Sequence, residues 1–317
     1  MKNPSFITLA PNGKTLYSVT DSKTPGAGSV SSYDFNAQTV ALTHTSSQSS
    51  LGENPVYVSV HPSGKWLACA NYTEAGLTLY PINNDGTIGK PIQHITYDKG
   101  SGINPKRQEA AHAHCVVFSP DGKQLVVTDL GSDTLWNYSF EPTQNPIVST
   151  TKFTETKIPP GSGPRHITFN KKEDKLYLIE ELGGAVEVFN NENGKLTPAQ
   201  RIPAHEENKR LTAFESSDVH LSPDEKFLYA SNRMDENNIA IYSVDSNGQL
   251  KIKGYQSTMG NHPRTFTLTP DGNFAIVCNV KSNSVTVFKR DKVTGLLQYT
   301  GQEIHIENVT TVAVGSY

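Results

Sequence analysis

The sequence predicts an all-β fold of repeated four-stranded antiparallel sheets, and three observations support this prediction. A short motif recurs along the chain at intervals of roughly 50 residues. Turn-forming residues are frequent, with 24 Gly and 19 Pro among 317 residues, as expected for many short strands. No segment shows the apolar spacing of a long amphipathic helix. The repeat therefore determines how the chain is divided into elements.

The recurring motif has six clear copies, and each copy predicts a β-hairpin. In the third copy, residues 115–118 are apolar, residues 119–122 read Ser-Pro-Asp-Gly, and residues 125–127 are apolar again. Proline fixes φ at the start of such a turn, and glycine permits a positive φ at its end. The six copies cover residues 3–21, 54–72, 112–130, 163–182, 216–233 and 262–280.

A third and a weaker fourth strand follow most hairpins. Residues 185–189 and 284–288 are examples of the third strand. Four antiparallel strands form one blade of a β-propeller, in which each blade packs against its neighbour. A β-sandwich or a single β-barrel does not account for a motif that recurs at this interval. We therefore predict one β-propeller domain over residues 1–317.

The last part of the chain predicts a seventh blade that is incomplete. Residues 308–314 contain one apolar, strand-like run, after which the sequence ends. Only a few residues precede the first hairpin, so the N-terminal strands that usually complete such a blade are missing. Unpaired strand edges favour association, and we expect a monomer or a weak dimer.

Charge and motif content exclude several classes of function. The net charge is −3 and no basic run occurs, so neither nucleic acid nor a membrane is an expected partner. The N-terminus has no signal-peptide core, and the protein is expected in the cytoplasm. The sequence contains no zinc-protease helix motif, P-loop, nucleophile elbow, calcium loop or dinucleotide fingerprint. We expect no metal and no cofactor.

The repeat places polar residues at the strand ends opposite each turn. The residue that enters the first strand and the residues that leave the second lie side by side in a hairpin. The entering positions are Ser5, Val56, His114, Arg165, Ser217 and Arg264, and the leaving positions include Asn71, Asp129, Glu180, Glu181, Asn232, Arg233 and Asn279. The longest connections, 96–111 and 201–216, bring Arg107, Gln108, Lys209 and Arg210 to the same side. These residues are predicted to form a ring of charged groups around the central channel.

An ordered set of motifs resembles the bacterial propeller-type 6-phosphogluconolactonases, which are similar to fungal carboxymuconate-cyclising propellers. The set spans nearly the whole chain and departs from the family pattern at Glu180, Met234 and Thr265. It consists of NPKRQ (104–108), HAH (112–114), FSPDG (118–122), TDLGSD (128–133), GPRH (163–166), EL (181–182), YASNR (229–233) and PR (263–264). The resemblance implies a seven-bladed fold and metal-free hydrolysis of 6-phosphogluconolactone, a phosphorylated sugar lactone, in the pentose phosphate pathway.

By matching motif, the resemblance gives four catalytic candidates, which the repeat also selects: His114, Arg165, Glu181 and Arg233. Five further residues are predicted to bind the substrate: Arg107, Gln108, His112, His166 and Arg264. Lactone hydrolysis needs an activated water and stabilisation of an oxyanion. Either Glu181 or His114 is the expected general base. Arg165 and Arg233 are expected at the oxyanion, and Arg264, Arg107 or a nearby lysine is expected to hold the phosphate. A non-enzymatic scaffold that binds a peptide or small anion, and a muconate-cyclising enzyme, remain alternatives.

Overall fold

A computed structural model describes residues 4–20, 22, 24, 26–206 and 213–315. Lys209 and Arg210 lie outside these residues. The described residues contain 24 strands, arranged in six four-stranded sheets in which the strands follow one another in chain order. Neighbouring strands pair in antiparallel fashion, for example the first strand with the second and the second with the third. The predicted four-stranded antiparallel blades are therefore confirmed.

The strands divide between two compact units, which are described separately. The first unit, residues 1–164, 193–195 and 315–317, holds three sheets. Their strands are β1 (Pro4–Leu9), β2 (Thr15–Thr20), β3 (Ser29–Asn36) and β4 (Ala41–Ser49); β5 (Pro55–Val60), β6 (Trp66–Asn71), β7 (Gly76–Pro81) and β8 (Gln93–Thr96); and β9 (Ala113–Phe118), β10 (Gln124–Asp129), β11 (Thr134–Phe140) and β12 (Val148–Lys157).

The second unit, residues 165–192 and 196–314, is built on the other three sheets. Their strands are β13 (Pro164–Phe169), β14 (Lys175–Glu180), β15 (Ala185–Glu192) and β16 (Lys195–Pro203); β17 (Phe214–Leu221), β18 (Phe227–Met234), β19 (Asn238–Val244) and β20 (Leu250–Ser257); and β21 (Pro263–Leu268), β22 (Phe274–Asn279), β23 (Ser284–Arg290) and β24 (Leu297–His305).

The predicted hairpin turns form as their residues dictate. Between β9 and β10, the Ser119 hydroxyl donates to Asp121 Oδ1 over 2.7 Å, and the Gly122 amide donates to the Ser119 carbonyl over 2.9 Å. Gly122 has a φ of 75°, a conformation that costs glycine little. The turn therefore fixes the pairing of the two inner strands.

Apolar side chains pack between neighbouring sheets within each unit. In the first unit, Ala70 and Leu77 lie in one cluster with Val116 and Val127. In the second, Tyr229 and Ile241 lie in one cluster with Phe266. Burial of these side chains removes apolar surface from water, at about 25 cal/mol per Å². Contacts between neighbouring sheets therefore contribute to the stability of each unit.

The predicted strand over 308–314 is wrong, because residues 306–315 contain no strand. Val309 and Val312 instead pack with Cys278 and Val285 of the last sheet. The Thr265 hydroxyl donates to the Thr310 carbonyl over 3.0 Å. Side-chain contacts therefore hold this segment. Among the described residues, no helix has the length and hydropathy needed to cross a membrane.

Candidate functional site

A β-bulge marks the entering position of the repeat in five sheets. The pairing of the first two strands shifts there, so one or two residues of the first strand have no partner in the ladder. Bulges redirect side chains and are frequent beside active sites. The residues at these bulges are Ser5, Val56, His114, Ser217 with Asp218, and Arg264.

In the second unit, two predicted arginines converge on one predicted carboxylate. Arg165 Nη1 forms an ion pair with Glu181 Oε2, and Arg233 Nη2 lies 3.1 Å from Glu181 Oε1. The side chains are only 2%, 4% and 1% exposed for Arg165, Arg233 and Glu181. We call these three residues the arginine–glutamate cluster. Three of the four predicted catalytic residues are therefore in contact.

Strand β17 anchors both arginines, Arg165 from the preceding sheet and Arg233 from the next strand of the same sheet. Arg165 Nε donates to the carbonyl of Ser217, in the β17 bulge, over 2.9 Å. Arg233 Nη2 donates to the Ser216 carbonyl over 3.2 Å and lies 3.1 Å from Glu215 Oε2. The Ser216 amide donates to the Glu181 carbonyl over 3.0 Å. Both guanidinium groups are thus fixed before any ligand binds.

Burial sets the electrostatics of this cluster. It lowers the pKa of Arg233, while the charge of Glu181 opposes that shift and the charge of Arg165 adds to it. Two cations share one carboxylate at the centre, and Glu215 supplies a second carboxylate to Arg233. Arginine donates hydrogen bonds in a planar fork that suits negatively charged oxygen atoms. The cluster is suited to hold an anion or a developing oxyanion.

His262 also contacts the cluster, although the repeat does not select it. Its Nε2 lies 3.4 Å from Arg233 Nη1. Burial, and then the charges of Arg233, Lys281, Arg264 and Arg165, lower the pKa of His262 to about 3. The imidazole is therefore neutral at neutral pH. The one feature of the sequence that could have indicated His262 is its position directly before the Pro263-Arg264 motif.

His166, a predicted substrate-binding residue, lies in a separate buried network. Its Nδ1 is 2.7 Å from Asp218 Oδ1, and His220 Nε2 is 3.0 Å from Asp218 Oδ2. Burial lowers the pKa of His166 to about 4, whereas the charge of Asp218 raises the pKa of the partly exposed His220. Asp218 also accepts the Phe266 amide of β21 over 3.2 Å. This network connects β13, β17 and β21.

Arg264 occupies the bulge of β21 and is half-buried. Its carbonyl accepts a hydrogen bond from the Ser217 hydroxyl over 2.5 Å. Its positive charge lowers the pKa of both His166 and His262. Arg264 thus lies near the arginine–glutamate cluster on its partly exposed side.

The first unit contains the other predicted residues. His112 stacks on Tyr72 with ring centroids 4.3 Å apart, and its Nε2 lies 3.2 Å from Glu109 Oε1. His114 meets Tyr72 edge-on, with centroids 5.6 Å apart. The structure therefore groups both histidines around one tyrosine. Their predicted roles stay predictions.

The loop before β9 carries Arg107 and Gln108. Gln108 is buried, and its Nε2 donates to the Leu130 carbonyl over 3.0 Å and to Asp133 Oδ1 over 2.7 Å. Its side-chain amide therefore supports the loop. Arg107 is half-buried in the turn that follows Asn104. Substrate binding by these two residues stays a prediction.

Comparisons with known proteins agree with the β-propeller fold. The family model described as "Lactonase, 7-bladed beta-propeller" matches residues 1–314. A 6-phosphogluconolactonase of Formosa agariphila is 37% identical over 317 residues, which are 99% of this chain and 89% of that protein. A 6-phosphogluconolactonase of Bacillus subtilis is 30% identical over 298 residues, 93% of this chain and 82% of that protein.

A solved structure is similar over nearly the whole chain. The periplasmic gluconolactonase of Pseudomonas aeruginosa superposes with a TM-score of 0.91 at 33% identity. The match covers 99% of this chain and 89% of that chain.

Proposed function

This chain belongs to the family of seven-bladed β-propeller lactonases and is a lactone-hydrolysing enzyme, and we propose that its substrate is 6-phospho-D-glucono-1,5-lactone. The observation that carries this proposal is the convergence of Arg165 and Arg233 on Glu181. Two relatives that cover almost the whole chain carry the name 6-phosphogluconolactonase. The reaction belongs, in this proposal, to the cytoplasmic pentose phosphate pathway.

The proposed chemistry is hydrolysis of the ring ester. Water adds its oxygen to the lactone carbonyl carbon, and the carbonyl oxygen becomes an oxyanion. The bond to the ring oxygen then breaks, and the ring oxygen takes one of the two protons of the water. The other proton is released to solvent, so the product carries a carboxylate and a free hydroxyl. Preorganised donors beside such an oxyanion contribute a large part of the rate enhancement in acyl transfer. Arg165 and Arg233 are the donors that we assign to this position.

Glu181 acts in this mechanism by orienting the two arginines. Each of its carboxylate oxygens already faces one guanidinium, and its side chain is 1% exposed. A carboxylate held between two cations is a weak proton acceptor. The geometry therefore favours an anchoring role for Glu181 over the role of general base. The role of general base that the sequence suggests for His114 stays a prediction.

The proposed blade arrangement follows the family. Six sheets are formed by the described residues, whereas the family has seven blades. We propose that residues 308–314, which pack on the last sheet through Val309 and Val312, take the place of part of the seventh blade. The single domain over 1–317 and the monomeric or weakly dimeric state belong to the same proposal.

The test is lactonase activity on freshly generated 6-phosphogluconolactone, coupled to 6-phosphogluconate dehydrogenase and corrected for spontaneous hydrolysis. We expect clear acceleration by the wild-type protein. Arg165→Ala removes an oxyanion donor and should lower kcat by about 10²-fold or more. Glu181→Gln should lower kcat as well, because both arginines lose the charged carboxylate that orients them.

Glu192→Gln is the matched control, because Glu192 is exposed at the end of β15. It should keep the wild-type rate. A folded wild-type protein that does not accelerate the reaction contradicts the proposed substrate. A folded Arg165→Ala variant with unchanged kcat contradicts the role of Arg165.

A further inference from the structure

Two backbone hydrogen bonds hold His262 and Lys281 on adjacent chain segments. The Val280 amide donates to the His262 carbonyl, and the Lys281 amide donates to the Asn261 carbonyl, each over 3.1 Å. His262 directly precedes β21, and Lys281 follows the end of β22. The side chains of both residues therefore start from the same edge of the last sheet, beside Arg264.

The backbone at His262 adopts a conformation that is unfavourable for histidine. Its φ is 65°, in the left-handed region. The His262 amide donates to Asn237 Oδ1 over 2.7 Å, which helps to hold this conformation. Asn237 is itself fixed, because its Nδ2 donates to the Met234 carbonyl over 2.7 Å. Strained non-glycine residues of this kind concentrate at functional sites.

The imidazole of His262 is surrounded by positive charge. Arg233, Lys281, Arg264 and Arg165 all act on it electrostatically, and the facing carboxylates Glu181 and Glu215 contact Arg233. Lys281 is exposed and forms no ion pair with the described residues. His262 Nδ1 is buried and has no hydrogen-bond partner within the described part of the chain. The partly exposed side of the cluster thus carries excess positive charge and an unused polar atom.

We propose that His262, Arg264 and Lys281 form a subsite for the phosphate group of the substrate. This inference rests on the proposed function for the identity of the ligand, because a phosphorylated lactone brings such a group. A phosphate dianion accepts several charge-assisted hydrogen bonds, which an arginine fork and a lysine ammonium supply. Burial and the repulsion from neighbouring cations keep His262 neutral, and the negative charge of a phosphate offsets that repulsion. Phosphate binding and protonation of His262 are therefore coupled.

The first experiment measures that coupling without any catalysis. The imidazole resonances of His262 are assigned by NMR with the His262→Asn variant and titrated with pH, with and without inorganic phosphate. Burial and the neighbouring cations lower the pKa of His262 to about 3, a range in which inorganic phosphate is a monoanion. Binding of this anion should raise the pKa by about one unit or more, which is a tenfold change in the protonation constant. Lys281→Ala should weaken this response. A His262 pKa that saturating phosphate leaves unchanged overturns the subsite.

The second experiment measures substrate preference. We expect Lys281→Ala to lower the preference for 6-phosphogluconolactone over unphosphorylated gluconolactone, expressed as the ratio of kcat/KM values, by roughly tenfold or more. Lys253→Ala is the matched control, because Lys253 is exposed on β20. The ratio should stay at the wild-type value in that variant.

The two experiments separate the subsite from the proposed function. If the protein binds phosphate at His262 but hydrolyses neither lactone, the phosphate subsite is supported and the proposed function is contradicted. If Lys281→Ala leaves the preference between the two lactones unchanged and phosphate has no effect on His262, the phosphate subsite is contradicted. Lactone hydrolysis is still supported in that case.

Discussion

At the scale of single residues, the site depends on buried charges that hold one another in place. Arg165 and Arg233 each contact Glu181, and all three side chains are almost fully buried. Removing one member of such a group leaves an uncompensated charge, which costs about 3–5 kcal/mol in measured cases. The cluster therefore requires all three residues together. This dependence is the reason to measure folding alongside activity in the Arg165 and Glu181 variants.

Another buried carboxyl group, that of Glu187, lies close to the cluster along the chain. Glu187 on β15 is 5% exposed, and its Oε2 has no hydrogen-bond partner among the residues described. Burial, and then the charge of Glu180, raise its pKa from 4.5 to about 7, with Arg201 opposing the shift. Arg201 is bound to Glu180 by two contacts of 2.7 and 2.8 Å. Arg201 therefore neutralises Glu180 more directly than Glu187.

Glu187 predicts a pH dependence of stability. A carboxyl whose pKa is raised by folding keeps its proton longer in the folded state, so the free energy of unfolding falls as pH rises from 4.5 to about 7. Glu187→Gln removes this dependence. Between pH 4 and pH 8, the free energy of unfolding of the variant should rise on the order of 1–2 kcal/mol relative to that of the wild type. Urea unfolding at the two pH values measures this difference.

The control for this prediction is Glu192→Gln, at the exposed end of the same strand. Its difference from wild type should not vary with pH. A Glu187→Gln difference that is the same at pH 4 and pH 8 contradicts the predicted pKa.

The residues of the site divide into those that the sequence predicts and those that it does not. Arg165, Glu181 and Arg233 are predictable because a repeat fixes where strand ends meet. His262 is not predictable, because its position depends on a positive φ and on a hydrogen bond to Asn237, which lies 25 residues earlier in the sequence. Glu181 is predicted as a possible base, and only its contacts with both arginines favour an anchoring role. The spacing of the repeat thus predicts where a site residue lies, whereas its role depends on contacts that only the structure shows.

At the scale of elements, a tyrosine of the second strand links each of three sheets to the next. The hydroxyls of Tyr17, Tyr177 and Tyr229 donate to the carbonyls of Gly86, Gly248 and Gly295 over 2.9, 3.0 and 2.7 Å. Each acceptor glycine lies in the connection between the third and fourth strands of the following sheet. Since the three tyrosines occupy equivalent repeat positions, the bond is a repeated feature of the fold. It fixes an outer connection to an inner strand.

These bonds predict the effect of removing one hydroxyl. Tyr177→Phe should lower the free energy of unfolding by about 1 kcal/mol, the usual net value of a hydrogen bond. Tyr229→Phe should cost more, because the Tyr229 hydroxyl also accepts from Arg290 Nε over 2.8 Å and that buried donor loses its partner. Urea unfolding at one pH measures both effects.

Tyr299→Phe serves as the control, because the Tyr299 hydroxyl forms no hydrogen bond with described residues, although its ring packs near Phe288. Tyr299→Phe should change the free energy of unfolding by less than about 0.5 kcal/mol. A loss in Tyr299→Phe as large as in Tyr229→Phe would mean that the hydroxyl bonds between sheets contribute nothing specific.

At the scale of the whole molecule, the charge of the protein and the charge of the site have opposite signs. The chain has a net charge of −3 at pH 7. Four cationic side chains nevertheless act on His262. A local positive region attracts an anionic substrate even when the whole molecule is negative, and salt weakens that attraction over a Debye length of about 10 Å at 0.1 M. The buried arginines are screened less than the exposed Lys281.

This difference in screening predicts how turnover responds to salt. We expect kcat/KM for 6-phosphogluconolactone to fall several-fold between low ionic strength and about 0.5 M sodium chloride, because the approach and binding of the phosphate depend on exposed cations. For unphosphorylated gluconolactone the change should be small, since the oxyanion forms only beside the buried Arg165 and Arg233. Lys281→Ala should reduce the salt effect on the phosphorylated substrate, whereas Lys253→Ala should leave it unchanged. Equal salt responses of the two lactones would show that the cations beside His262 do not act on the substrate phosphate.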